Sequence, residues 1–125
     1  MIRMDARLRD GIGLFNESKF FECHEVLEDL YHEIEEENKP FFEGLIGLAA
    51  AFRLFCEFGE VKGPVRLIYQ ALIRLENYQP AFLQIDVKGL CAAAEAWAKA
   101  AEIPGAKPTA SNIPKVKTQR FGFFS

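Results

Sequence analysis

The run Phe20-Phe21-Glu22-Cys23-His24-Glu25-Val26-Leu27-Glu28 concentrates the side chains of this sequence best suited to chemistry. His24 and Glu28 stand four residues apart, the spacing that stacks two side chains on adjacent turns of a helix. A His and a Glu so placed can supply two ligands to a metal, or an acid/base imidazole oriented by a carboxylate. Glu25, beside His24, is the third candidate. Catalysis and metal binding each need more groups than one such pair, and the further groups must come from a facing helix. His32 is the other histidine of the chain. Its Asp29-x-x-His32 spacing imitates half of a di-iron motif, but the sequence holds no second Glu-x-x-His.

At about 100° per residue from Phe20, the apolar arc runs from Val26 near 240° through Leu27 near 340° to Tyr31 near 20°. On the same wheel His24 falls near 40° and Glu28 near 80°, at the rim of the buried face, while His32, near 120°, is expected in solvent with Glu22, Glu25, Asp29 and Glu33. A carboxylate and an imidazole at the edge of an apolar core need partners. Glu43 and Arg53 are the charged residues of the next apolar segment, so we expect a mainly structural network joining His24 and Glu28 to Glu43 or Arg53. A metal on His24 and Glu28 is the weaker reading, and no cofactor is expected.

The elements that must position these residues are helices. Met4, Leu8, Ile12 and Phe15 recur at helical spacing and predict a first helix over Met4 to Phe15. Ser18 is the expected N-cap of a second helix reaching Glu36, with Phe20, Cys23, Leu27, Leu30, Tyr31 and Ile34 inward. Pro40 suits the first turn of a third helix, to about Glu57, apolar nearly all round and therefore central. Its Gly44, Gly47 and Ala49 to Ala51 keep it thin, and Gly59 fits its C-terminal cap. A fourth helix holds Pro64 in its first turn and ends near Asn77. Tyr78 to Ile85 is a connector, and Asp86 caps a fifth helix through Ala101.

An echo at a spacing of 40 residues sets Leu14-Phe15-x-Glu17 and Leu27 against Leu54-Phe55-x-Glu57 and Leu67. It suggests an all-α compact bundle of about five helices built from two tetratricopeptide-like hairpins, each burying the other's face. We expect residues 1–103 to form this bundle and residues 104–125 an irregular, proline-rich, basic tail ending in Phe121-Gly122-Phe123-Phe124.

Composition narrows the function classes. Residues 1–102 carry 18 acidic and 11 basic residues, and residues 103–125 four basic residues and no acidic one. An acidic body repels phosphate backbones, so we expect no nucleic-acid partner. Twelve phenylalanines against one tryptophan point to rings used as core filling rather than as base-stacking platforms. Cys23, Cys56 and Cys91, odd in number and spread through apolar segments, read as small buried side chains of a reducing compartment. No charge-poor stretch is long enough for a membrane span, so a cytoplasmic, unanchored protein is expected. The acids Glu33 and Glu35 to Glu37 lack the spacing and turn glycine of a calcium loop, and neither a GxxxxGK loop nor a GxSxG elbow is present.

The motif Leu14-Phe15-Asn16-x-x-x-Phe20-Phe21-Glu22-x-His24-Glu25-x-Leu27-Glu28, with Gly44-Leu45-Ile46 and Ile85-Asp86-Val87, resembles the bacterial and archaeal family called domain of unknown function 309. The likeness runs from about Gly11 to Ala101. It implies an all-helical bundle and, by the family's name, no established activity. Members place glutamine where this chain has Glu43 and Gly47, histidine at Leu54 and often tryptophan at Tyr31. What the resemblance carries over therefore rests on His24, Glu25 and Glu28. Our leading expectation is a non-enzymatic helical interaction or scaffold module with a protein partner or a second copy as a homodimer. The competing one is a small hydrolase-like or metal-dependent enzyme whose site lies between the second and third helices.

Overall fold

The computed structural model describes residues 4–118, as five α-helices and one very short β-hairpin. Helix α1 (Ala6–Asn16) begins where the Asp5 carboxylate accepts the Arg7 backbone N–H at 2.8 Å, and it buries Leu8, Ile12 and Phe15. Ser18 is not the cap expected of it. It adopts φ 62° in the reversal between helices, a bend closed by the Lys19 N–H donating to the Leu14 carbonyl at 2.8 Å. Lys19 takes the capping position of α2 (Phe20–Tyr31) without a side-chain bond to the helix.

Helix α2 also stops short of the expected Glu36. Glu33 and Glu35 to Glu37 would crowd carboxylates onto the negative end of the helix dipole. The chain instead turns through a short 3-10 segment, Glu36–Asn38, into α3 (Lys39–Phe58). Gly59 ends α3 at φ 68°, a left-handed conformation that glycine adopts without a steric penalty.

Helix α3 is the axis of the molecule, packed between α2 and α4 (Lys62–Leu75). A Cβ on Gly44 would come within 2.6 Å of the Leu75 side chain, so glycine is what lets α3 and α4 approach there. Rings fill the core in two groups. Phe15, Phe20, Phe52 and Trp97 join α1, α2, α3 and α5, with centroids 5.1 to 6.1 Å apart along the chain of contacts. Phe41, Tyr78 and Phe82 form the second group, at 4.8 to 5.2 Å.

The expected connector before the last helix holds structure of its own. Strands β1 (Ala81–Phe82) and β2 (Ile85–Asp86) pair antiparallel, with Ala81 opposite Asp86 and Phe82 opposite Ile85. Leu83 and Gln84 make the turn with positive φ, without the Asn-Gly signal that would have announced it. Asp86 then caps α5 (Val87–Glu102), accepting the Gly89 N–H at 2.9 Å.

Residues beyond α5 lie along the bundle. Trp97 Nε1 donates to the Thr109 carbonyl at 3.2 Å, and Ile113 and Val116 are buried. Asn16 holds Val116 twice, accepting its N–H at 2.7 Å and donating to its carbonyl at 2.9 Å. The Asp86 N–H donates to the Lys117 carbonyl at 2.8 Å, and Thr118 bridges Ile85 on the free side of β2. The terminal Phe121, Phe123 and Phe124 lie outside the described residues.

Of the three cysteines, Cys23 and Cys91 are buried as expected, and burial pushes the Cys23 thiol up to about 12. Cys56 corrects the reading: it is exposed, on the outward side of the last turn of α3 with Glu57 and Phe58. Among the described residues no helix is long and apolar enough to cross a membrane.

Candidate functional site

Helix α2 turns its polar residues away from its buried face: Glu22, Glu25, Glu28 and Asp29 are exposed, and His24 is half-buried at the edge. Phe20, Cys23, Leu27 and Leu30 point inward. His24 stands beside that face with 31% of its side chain exposed, one turn before Glu28 with 51%. Their nearest polar atoms, His24 Nε2 and Glu28 Oε2, are 4.0 Å apart, beyond hydrogen-bond reach. One donor atom each from His24, Glu25 and Glu28 lie within 4.8 Å of one another, the one group of three metal-binding side chains that comes together among the described residues.

Among the described residues the expected network to α3 does not form. Glu43 accepts a hydrogen bond from the Tyr31 hydroxyl at 2.8 Å and one from Arg74 Nε at 3.3 Å. That carboxylate raises the Tyr31 pKa, since it bonds the protonated phenol and repels the phenolate. Arg53 donates to Glu57 at 3.0 Å, one turn along its own helix, and lays its guanidinium 4.5 Å from the centre of the Phe21 ring. The physical reason is competition. A local i, i+4 carboxylate and a neighbouring ring occupy Arg53, and a cation on α4 reaches Glu43 first.

Glu43, Gly47 and Leu54 form a stripe along α3 that turns toward α4 over much of its length. A Cβ on Gly47 would touch the Ala71 side chain at 3.5 Å, and the Leu54 side chain lies 4.0 Å from the Cβ position of Gly63. His32 is exposed as expected, with its ring edge-on to Tyr31 at 5.8 Å.

Sequence reasoning passed over Phe21, Tyr31 and Arg74 as members of this surface. The Arg53–Glu57 spacing was a readable signal, and Phe21, apolar on a polar side of the wheel, was another. Arg74 gave none, because its reach to Glu43 depends on how closely Gly44 lets α4 approach. The assembled surface can do two things chemically. His24, Glu25 and Glu28 can converge on a divalent cation, leaving its remaining positions to water. Phe21, Arg53 and Tyr31 offer the ring and guanidinium surface that protein partners bury.

Neither a curated protein nor a solved structure matches the chain. Residues 8–67 match the family described as Domain of unknown function (DUF309). That span runs from α1 into α4 and includes the whole His24 motif, while Ile85-Asp86-Val87 falls beyond it. Through residues 8–67 the chain is similar to the DUF309 family, the resemblance that its first motif suggested.

Proposed function

We propose that this protein is a non-enzymatic helical interaction module whose contact face lies across α2 and α3. The observation that carries the reading is the Arg53 guanidinium 4.5 Å above a Phe21 ring that is 43% exposed. An aromatic ring held in place by a cation from the next helix is an anchor prepared before binding, and burying it against a partner removes apolar surface from water. Tyr31 and Glu43 extend the same face, and Glu25 and Glu28 supply a charged rim. The partner is a protein or a second copy of the chain. A cytoplasmic setting, on the grounds of the three free cysteines, and the avoidance of nucleic acid, on the grounds of the acidic body, belong to the same proposal.

A photo-crosslinking side chain at position 21 of the full chain tests this, with position 73 as the control. The expected result is a discrete adduct from position 21, lost when Arg53→Glu removes the cation. Sedimentation of the purified protein would distinguish a second copy from a different partner. Equal crosslinking from both positions, unaffected by Arg53→Glu, would reject the face.

The convergence of His24, Glu25 and Glu28 within 4.8 Å favours a second reading, a metal-dependent or hydrolase-like enzyme on the same side of the bundle. Stoichiometric zinc, iron or manganese, lost on His24→Ala without loss of fold, would select it over the module.

A further inference from the structure

On the opposite side of α3 from α2, α4 and the end of α5 enclose a groove of about 670 Å³, against 260 to 330 Å³ for three other cavities of the molecule. This volume falls in the range of small-ligand sites. Val61 and Val65 line one wall, and Ile103 and Ala106, where the chain turns after α5, line the other. Ile103 is 60% exposed, an apolar side chain left in water at the edge of an apolar trough.

The rim of the groove is charged, and its charges are unequal. Lys62 and Arg66, one turn apart on α4, both line it, and among the described residues neither has an ion-pair or hydrogen-bond partner. The acid on the facing wall, Glu102, is already engaged: the Tyr69 hydroxyl donates to it at 2.8 Å. Two uncommitted cations therefore overlook an apolar trough on a body that is otherwise acidic.

We infer that this groove binds a single-chain alkyl carboxylate, with its hydrocarbon along Val61, Val65, Ile103 and Ala106 and its head group on Lys62 and Arg66. The charge sets the class. An uncharged chain of the same length would gain the apolar burial but leave both cations unpaired, and an alkyl ammonium would meet them as like charges. Glu102 tempers the site, since its carboxylate repels an anionic head group from across the groove.

Calorimetric titration of the full chain with decanoate, held below its micelle concentration, tests the inference. One saturable site is expected, with decanol weaker by about tenfold and decyltrimethylammonium not bound. Replacing both Lys62→Glu and Arg66→Glu should weaken decanoate by about tenfold or more, and Glu102→Gln should tighten it. Ile73→Asp, on an exposed part of α4 away from the groove lining, should leave it unchanged. Thermal melts check that each variant is folded, and the neutral pair Lys62→Gln with Arg66→Gln replaces the reversal should that variant unfold. Equal binding of decanol and decanoate, binding that survives loss of both cations, or binding only to vesicles of phosphatidylglycerol and not to monomeric decanoate would each overturn the assignment.

Discussion

The two sides of α3 divide chemistry from concavity. On the α2 side stand the residue types that sequence reading prizes, His24, Glu25 and Glu28, grouped within 4.8 Å on an outward band of one helix. On the α4 side, residues of no catalytic distinction enclose about 670 Å³ under two unpaired cations. The difference teaches that a motif reports which groups are available, whereas binding of a small ligand depends on walls, and walls come from elements distant in sequence. Here Val61 and Ile103 face one groove although 42 positions separate them.

Both sides rest on the same core, and the largest expected effect breaks them together. Phe52 is fully buried and touches the rings of Phe15, Phe20 and Trp97. Phe52→Ala should cost about 3 to 5 kcal/mol through lost burial and a residual cavity. Chemical denaturation measures this, and a loss below about 1 kcal/mol would show that the ring group is not the keystone described.

A smaller change should separate the two sides. Asn16 fastens the segment after α5 by two hydrogen bonds to Val116, and Trp97 fastens it at Thr109. Asn16→Ala leaves the Val116 N–H and carbonyl without these partners and should cost about 1 to 3 kcal/mol. Amide exchange should quicken along residues 109–118 while α2 around His24 keeps its protection. Uniform quickening across the molecule would mean that the segment is an inseparable part of the bundle, and the comparison would lose its edge.

The smallest effect concerns the polar band itself. A dry network joining His24 and Glu28 to α3 would make truncation of Glu28 cost on the order of 3 kcal/mol. With the pair 4.0 Å apart and half of Glu28 in solvent, Glu28→Ala and His24→Ala should each change stability by about 0.5 kcal/mol or less. Paired melts of the two variants check this, and a loss of several times that size would restore the closed network.

Much of the bundle was legible because helices announce themselves locally. Asp86 before an alanine-rich run, Gly59 after an apolar one and Pro40 at the opening of α3 are signals within a few residues of the structure they produce. Where local signals conflicted, the sequence reading erred. Ser18 has the chemistry of a cap but serves as a left-handed bend, and the acids after Tyr31 look helical in composition while their charges end the helix. The Leu83-Gln84 turn lacks the usual residues, so the hairpin left no trace before its strands were seen to pair.

By itself the sequence determined which residues could be buried, where most helices begin and end, and that His24 and Glu28 stack on adjacent turns of α2. Helical periodicity and capping are contacts between near neighbours, so the chain carries them without knowing its fold. Only the tertiary structure decided what those residues meet. Arg74 reached Glu43, Phe21 and Glu57 occupied Arg53, and Lys62 and Arg66 came to overlook the wall formed after α5. Such pairings follow from how closely helices approach, a distance set at Gly44 by a missing Cβ and the Leu75 side chain it admits. Nothing in the residues on either side of such a gap encodes which of several opposite charges will lie nearest once it closes.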